Sequence, residues 1–166
     1  MHQIVRPVRK RIGFLGFDGI MALDLVGPME AFSNAPCGDE PDATVGGYEI
    51  VILALDRRPF TSEAGLLMHP TSCLRDAPEL DTLIIPGGVG LRRPKVLREV
   101  VPLLRELAGR TRRVATVCTG IYALAETGLL DGRRVATHWR FTEALARDYP
   151  LLRVDADALY VRDGKF

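Results

Sequence analysis

Residues 112–130, RRVATVCTGIYALAETGLL, contain the pattern that decides the fold: a short apolar strand that turns at once into a helix. Arg113–Val117 is short and apolar, as expected for a buried strand. Thr119–Thr127 is predicted to be helical and to end at Gly128. Cys118 lies at the junction, where a sharp turn would lift its side chain out of the sheet. A strand followed directly by a helix is typical of an α/β domain.

The same alternation continues on both sides of this segment. The patterns predict strands at 11–17, 48–55, 82–85 and 134–137, and a hairpin or short strands within 60–72. Helices are predicted at 21–33 (with a kink or restart at Pro28), 95–108 and 140–148. A loop is predicted at 35–46, and two short strands around Asp163-Gly164 between 153 and 166. Strands that alternate with helices predict an α/β domain with a mostly parallel central sheet, covered by helices on both faces. We expect one domain over residues 1–166.

Composition excludes several classes of protein. The chain has 166 residues, 47% hydrophobic and 26% charged, with a formal net charge of +1. This balance is typical of a globular protein and gives no overall field that would attract nucleic acid or membrane. No apolar run reaches the length of a membrane span, and the basic N-terminus has no signal-peptide pattern, so we expect no membrane association.

Cysteine and histidine spacing indicates neither disulfides nor a metal site. The three cysteines, Cys37, Cys73 and Cys118, form no C-x-x-C pair, which favours free thiols and a cytoplasmic location. The three histidines are isolated, so we expect no metal. Neither Cys37 nor Cys73 lies in a motif.

Cys118-Thr119-Gly120 is the strongest candidate site. The arrangement resembles the nucleophile elbow G-x-S-x-G, with Gly120 at the second glycine and Thr116 in place of the first. Backbone N–H groups at the start of the helix could stabilise negative charge and lower the pKa of the thiol. The alternative is a small cysteine buried in the core. The local pattern leaves both interpretations open.

Two further strand ends carry unusual residues. Asp24 lies in the apolar stretch MALDLVGP after the first strand, where burial would raise the pKa of its carboxyl and let it share a proton with a thiol. The alternatives are a helix cap or an exposed helical residue, and Glu30 is a weaker competitor. Gly87 and Gly88 could bring a backbone N–H close to a ligand, or could simply form a glycine turn.

His138-Trp139 follows the strand after the elbow helix. His138 could assist the cysteine as an acid or base, but a structural hydrogen bond is the favoured interpretation. Trp139 is predicted to pack or to form a pocket wall.

Taken together, these residues resemble the ThiJ/PfpI superfamily, the class I glutamine amidotransferase-like domains. The matching segments are IGFLGFDGIMALDLVGPMEAF (12–32), ELDTLIIPGG (79–88), VATVCTGIYALAETGLLDGRRVATHW (114–139) and YPLLRVDADALYVRDGKF (149–166). The resemblance implies a flavodoxin-like three-layer sandwich that usually dimerises. It implies a central cysteine at Cys118, an acidic partner at Asp24, and backbone anion donors near Gly88 and Thr119.

Within the superfamily, protease-like and glyoxalase-like members usually have histidine directly after the cysteine, where this chain has Thr119. A Cys-His dyad of that kind is therefore not expected. The C-T-G sequence, the L-D-L-x-G-P around Asp24 and the later T-H-W look like two other branches: the N-terminal sensor domain of AraC-type transcriptional regulators, and isonitrile hydratase. The tail DADALYVRDGKF looks closer to the regulators.

Two functions follow from the resemblance. The favoured one is a domain that senses a small molecule in a pocket formed by Cys118, Asp24, Gly87, Gly88, Thr119, Gly120 and His138. Such a sensor would need no cofactor. It would reach DNA only through a C-terminal domain that this chain lacks. Because the chain stops within a predicted strand, we expect a C-terminal strand and helix to be missing. The alternative is an enzyme of the isonitrile hydratase type, with Cys118 as nucleophile and Asp24 as acid and base.

Overall fold

A computed structural model describes residues 10–35 and 47–166. Nearly all of the predicted loop at 35–46, including Cys37, lies outside the described residues. Nine strands are described: β1 Lys10–Leu15, β2 Tyr48–Ala54, β3 Phe60–Thr61, β4 Leu67–Met68, β5 Ser72–Cys73, β6 Thr82–Ile85, β7 Arg113–Thr116, β8 Arg134–Val135 and β9 Arg153–Val154. The α-helices are α1 Ala22–Asn34, α2 Pro94–Arg110, α3 Ile121–Ala125 and α4 Thr142–Asp148, and 3-10 turns span Gly90–Arg92, Cys118–Gly120 and Trp139–Phe141.

The main sheet has five parallel strands in the order β5-β2-β1-β6-β7. The predicted α/β fold with a mostly parallel central sheet is therefore confirmed. Strands β1, β6 and β7 are neighbours, so their carboxyl ends meet at one edge of the sheet. Asp24, Gly87 and Cys118 follow these three ends, which is where open α/β sheets bind ligands.

The core lies between this sheet and its helices. Central strands are buried on both faces, as in β6, where all four residues are buried, because helices cover both sides of a parallel sheet. Helix α2 turns Val100, Leu104 and Leu107 inward at helical spacing. Helix α1 continues through Pro28 without ending there.

The predicted hairpin within 60–72 is confirmed: β3 and β4 pair antiparallel, with Phe60 opposite Met68. The same segment then continues into β5, which joins the edge of the main sheet beside β2. The hairpin itself lies outside the main sheet, so its loop is free to contact other elements.

The prediction of two strands around Asp163-Gly164 is wrong in part. Only β9 forms, and it pairs parallel with β8 in a separate two-stranded sheet. The chain does turn, since Asp163 and Phe166 exchange backbone hydrogen bonds. However, the arms of the turn bond elsewhere: the Asp163 carboxylate accepts from the backbone N–H of Arg134, and the Lys165 carbonyl accepts from Val114 of β7.

Two further predicted elements are shorter than expected. The strand predicted at 134–137 is only the two residues of β8. The helix predicted at 119–127 begins as a 3-10 turn at Cys118–Gly120 before α3 starts.

Candidate functional site

Cys118 lies two residues after the end of β7 and has a strained backbone conformation. Its φ angle is 54°, and it is the sole non-glycine residue with positive φ in the described part of the chain. Such strain persists only where the surroundings impose it, and it is frequent at functional sites. Here the Thr137 hydroxyl donates a hydrogen bond of 3.0 Å to the Cys118 carbonyl. On the other side, a Cβ at Gly120 would collide with the carbonyl oxygen of Ile85, so the turn fits tightly against β6.

Asp24 faces Cys118 from the first turn of α1. Its Oδ2 accepts a hydrogen bond of 3.0 Å from the backbone N–H of Gly87, and its carboxyl also hydrogen-bonds with the Cys118 thiol. A Cβ on Gly87 would lie 2.8 Å from that same Oδ2 and 2.8 Å from the Thr119 nitrogen. Only glycine therefore fits at position 87, because the acid and the elbow approach the backbone from both sides.

Thr119 connects the glycine turn to the cysteine. Its hydroxyl oxygen accepts a buried hydrogen bond of 3.0 Å from the N–H of Gly88. Its hydroxyl and its backbone N–H both donate to the Cys118 sulfur. The N–H groups of Gly87 and Gly88 both bond to side chains of the protein in this structure, so anion binding near Gly88 and Thr119 stays a prediction.

Burial raises the pKa of the Asp24 carboxyl above its ordinary value. The hydrogen bonds from Gly87 and Cys118 and the attraction of His138 lower this pKa, and the charge of Glu63 raises it further, but burial dominates. The direction of this pKa shift agrees with the prediction for a buried carboxyl in the apolar stretch around Asp24.

The pKa of the Cys118 thiol is also raised, first by burial and then by the charge of Asp24, although hydrogen bonds from Thr119 oppose the shift. This corrects the expectation that the helix after Cys118 would lower the thiol pKa. Helix α3 has five residues, which is too short for a strong N-terminal field. The two acids therefore retain a proton between them more readily than isolated groups would.

His138 makes the structural hydrogen bond that was the favoured interpretation. Its Nδ1 accepts from the backbone N–H of Arg140 at 3.2 Å and so caps the 3-10 turn. The ring stacks on Trp139, which is 76% exposed. With Nδ1 acting as an acceptor, the neutral ring carries its proton on Nε2.

A large cavity of about 1230 Å³ lies along β7 and β8 and beneath the tail. Cys118, His138 and Trp139 are among the residues that line it. Asp24, Gly87 and Gly88 are not among the residues that line it. The cavity and the acid pair therefore meet at the thiol. This differs from the predicted pocket, which surrounded all of these residues.

No sequence pattern pointed to Glu63, yet it contacts the site. Its carboxylate accepts a hydrogen bond of 2.8 Å from the backbone N–H of Val89, next to the glycine turn. The signal is missing from the sequence because the β3–β4 hairpin brings this residue across from a distant part of the chain. In contrast, Glu30 is exposed and bonds with Asn34 on its own helix.

The other candidates are simpler to place. Cys73 is a free thiol on the edge strand β5, away from Cys118. Within residues 10–35 and 47–166, no group of three or more His, Cys, Asp or Glu side chains could hold a metal ion. No helix in the same residues is long and apolar enough to cross a membrane.

Comparison with known proteins agrees with this geometry. The DJ-1/PfpI family model matches residues 10–165. Isonitrile hydratase of Pseudomonas putida is 33% identical over 154 residues, 93% of this chain and 62% of the hydratase. The HTH-type transcriptional regulator GbdR of Pseudomonas aeruginosa is 33% identical over 157 residues, 93% of this chain and 41% of the regulator.

Both of these relatives are longer than the matched region, so the chain spans less than two thirds of their length. The crystal structure of a ThiJ/PfpI family protein from Pseudomonas syringae superimposes with a TM-score of 0.75 and 29% sequence identity, covering 95% of this chain and 60% of that one. The family match over nearly the whole described fold is decisive: the chain belongs to the DJ-1/PfpI family.

Proposed function

We propose that this chain is a small-molecule-sensing domain of an AraC-type transcriptional regulator, with Cys118 and Asp24 as the centre of its ligand site. The observation that supports sensing over catalysis is that the backbone N–H groups of the glycine turn already have hydrogen-bond partners within the protein. The N–H of Gly87 bonds to Asp24 and the N–H of Gly88 bonds to Thr119. A site for nucleophilic catalysis would keep such donors available for charge that develops on the substrate.

The protonation of the pair supports the same proposal. The thiolate, not the thiol, is the nucleophile, and burial and Asp24 both hold the Cys118 pKa above its ordinary value. At neutral pH the thiol is therefore largely protonated. A sensor does not need a thiolate, because it needs only different affinities for its ligand in two states.

The chemistry of the site suggests the class of ligand. Cys118 and His138 both line the cavity. The Nε2–H of the His138 ring is a hydrogen-bond donor there, because Nδ1 already accepts from Arg140. A small molecule with an acceptor oxygen, such as a carboxylate, complements this donor. We propose that this ligand enters from the cavity and contacts Cys118 first.

The wider assembly is part of the same proposal. We propose a cytoplasmic homodimer in which ligand binding shifts one subunit relative to the other. DNA would be contacted through a helix-turn-helix domain outside these 166 residues, as the regulator relatives suggest.

Protection of Cys118 from alkylation tests this proposal. A panel of small carboxylic acids is added before iodoacetamide, and the modification of the Cys118 peptide is followed by mass spectrometry. We expect at least one acid to slow the modification in a saturable way, and the same acid to have no effect on the modification of Cys73. Failure of every acid to protect Cys118 would contradict the proposed ligand class.

A second candidate function, isonitrile hydration, is favoured by the acid beside the cysteine. Burial raises the pKa of Asp24, so this carboxyl takes up a proton more readily than a free one, and it hydrogen-bonds with the thiol. The Cys118 sulfur would bond to the isonitrile carbon while a proton is delivered to that carbon, giving a thioimidate. Water would then add to this carbon and the thiol would leave with its proton, giving an N-substituted formamide.

Incubation with an aryl isonitrile separates the two functions. If the chain is a sensor, no formamide forms above the rate without protein. If formamide forms, and Cys118→Ala abolishes it while Cys73→Ala does not, the hydratase is correct and the sensing proposal is wrong.

A further inference from the structure

The loop of the β3–β4 hairpin reaches over the sheet edge and contacts the glycine turn. Ser62 forms a parallel bridge with Ile20, and Ile20 forms an antiparallel bridge with Gly88 on its other side. Three separate segments of the chain, around Ser62, Ile20 and Gly88, therefore lie side by side at the glycine turn. Ser62 itself is buried and its hydroxyl accepts from Leu66, so the hairpin loop is held in a defined shape.

Glu63 is the residue that this loop presents to the turn. Its backbone N–H donates to the carbonyl of Ile20 at 2.9 Å, which fixes the base of the side chain. Its carboxylate then accepts the N–H of Val89 at 2.8 Å. Hydrogen bonds to a carboxylate are about twice as strong as those between neutral groups. This bond orients the peptide between Gly88 and Val89.

The orientation of that peptide matters because Gly88 has an unusual backbone. Its φ angle is 142°, and any Cβ at this position would collide with the carbonyl oxygen of Gly19. The next N–H along the chain is the one that Glu63 holds, and the N–H of Gly88 itself points to the Thr119 hydroxyl. Without the Glu63 carboxylate the turn keeps the bond from the Met21 N–H to the Gly87 carbonyl but loses the bond that orients its next peptide, so we expect the Gly88–Thr119 contact to open more often.

We propose that Glu63 is a positioning residue for the Asp24–Cys118 pair, because its carboxylate anchors the glycine turn that contacts both residues. The negative charge of Glu63 adds to this role, since it opposes the ionisation of Asp24. The titratable side chains that act on Asp24 are Cys118, through a hydrogen bond, and His138 and Glu63, through their charges. Of these, only Glu63 comes from the hairpin. The proposal holds whether the pair senses or catalyses, because it concerns the geometry and protonation of the pair itself.

Two variants separate the hydrogen bond from the charge. Glu63→Gln keeps an oxygen that can accept from Val89 but removes the charge, whereas Glu63→Ala removes both. Glu79→Gln is the matched control. Glu79 is an exposed acid just before β6, so it lies at the amino ends of the strands, away from the site at their carboxyl ends.

Titration of the Asp24 carboxyl measures the effect of the Glu63 charge. Its carboxyl carbon is followed by ¹³C NMR against pH and assigned by its loss in Asp24→Asn. We expect the midpoint to move to lower pH in Glu63→Gln and Glu63→Ala, because a charge that raises the Asp24 pKa has been removed, and to stay unchanged in Glu79→Gln. An unchanged midpoint in Glu63→Gln overturns the proposal.

Amide hydrogen exchange measures how firmly the Glu63 carboxylate holds the glycine turn. In Glu63→Ala we expect the Val89 and Gly88 amides to exchange about tenfold faster than in the wild type, because a charge-assisted bond has been lost. Glu63→Gln should fall between the two, because its amide oxygen still accepts from Val89 but without the charge. If exchange at Gly88 is the same in Glu63→Ala and in the wild type, Glu63 does not position the turn and the proposal is wrong.

Discussion

Burial and charge act in the same direction on the Cys118 thiol. The side chain is partly buried, and the nearest acid, Asp24, adds a negative charge that opposes ionisation. Thr119 donates two hydrogen bonds that favour the thiolate, but they are outweighed. The strained backbone of Cys118 thus presents a neutral thiol to the cavity, and its neighbours determine how easily it loses its proton.

Replacement of Asp24 by asparagine should lower the Cys118 pKa. The substitution removes both the charge and the carboxyl hydrogen bond that raise this pKa. We expect the pH profile of Cys118 alkylation to shift to lower pH in Asp24→Asn. Glu30→Gln, an exposed acid on the same helix, is the control and should leave the profile in place. A shift to higher pH in Asp24→Asn would contradict the assigned pairing.

Replacement of Thr119 by valine should have the opposite effect on the thiol. Valine keeps the approximate volume but removes the hydroxyl that donates to sulfur and accepts from Gly88. We expect the alkylation profile to move to higher pH. The buried N–H of Gly88 loses its partner, so we also expect a loss of about 1–3 kcal/mol in the free energy of unfolding.

Thr119→Ser keeps the hydroxyl and is the control for both measurements. It should retain the wild-type profile and most of the stability in urea denaturation. Equal behaviour of the valine and serine variants would show that the hydroxyl has no role in the site.

At the scale of elements, the junction of β7, the 3-10 turn and α3 is held by close backbone contacts. Gly120 packs so tightly on the end of β6 that a side chain there would collide with the Ile85 carbonyl. The turn therefore has little freedom to relax, and the position of Cys118 depends on it.

A methyl group added at Gly120 should destabilise the protein. Gly120→Ala forces the turn away from β6, and overpacking of this kind costs about 1–3 kcal/mol. Gly109→Ala is the control, since Gly109 lies in α2 with open space around it. Alanine favours the helix there, so this variant should be neutral or slightly more stable. Urea denaturation of both variants measures the difference, and equal stability would contradict the packing described here.

Elements with a strong local signal were predictable, and contacts across the fold were not. Strand β6 has the predicted bounds because Thr82 and the three apolar residues after it run straight into Pro86. Cys118 and Asp24 could be paired because the carboxyl ends of parallel strands meet at one edge. The role of Glu63 depends on where a hairpin folds back, and the sign of the thiol pKa shift depends on burial, which spacing does not encode.

At the scale of the whole molecule, the tail is fastened to the body of the domain by Lys165. Its ammonium group donates to the carbonyls of Ala108, Gly109 and Thr111 at the end of α2. These carbonyls have no partner within the helix, and a positive charge at a helix C-terminus is favourable. The Lys165 carbonyl also accepts from Val114 of β7, so one residue joins the tail, the helix and the sheet.

Lys165→Met should loosen this junction. Without the ammonium group the α2 carbonyls lose their donor, and we expect faster amide exchange at Val114 together with a lower melting temperature. Lys95→Met is the control: Lys95 is exposed at the start of α2, where a positive charge is unfavourable. That variant should be neutral or slightly more stable. Unchanged exchange at Val114 in Lys165→Met would mean that the tail is held by other contacts.

The most direct test of the site is the pH dependence of Cys118 alkylation in the unaltered chain. Iodoacetamide is applied over a range of pH, and modification is measured on the peptide that contains Cys118, because Cys37 and Cys73 are also present. Burial and the charge of Asp24 predict a midpoint above about 8.5, the ordinary pKa of a free thiol. A midpoint below that value would show a thiolate poised for nucleophilic attack and would contradict the account of a protonated sensing site.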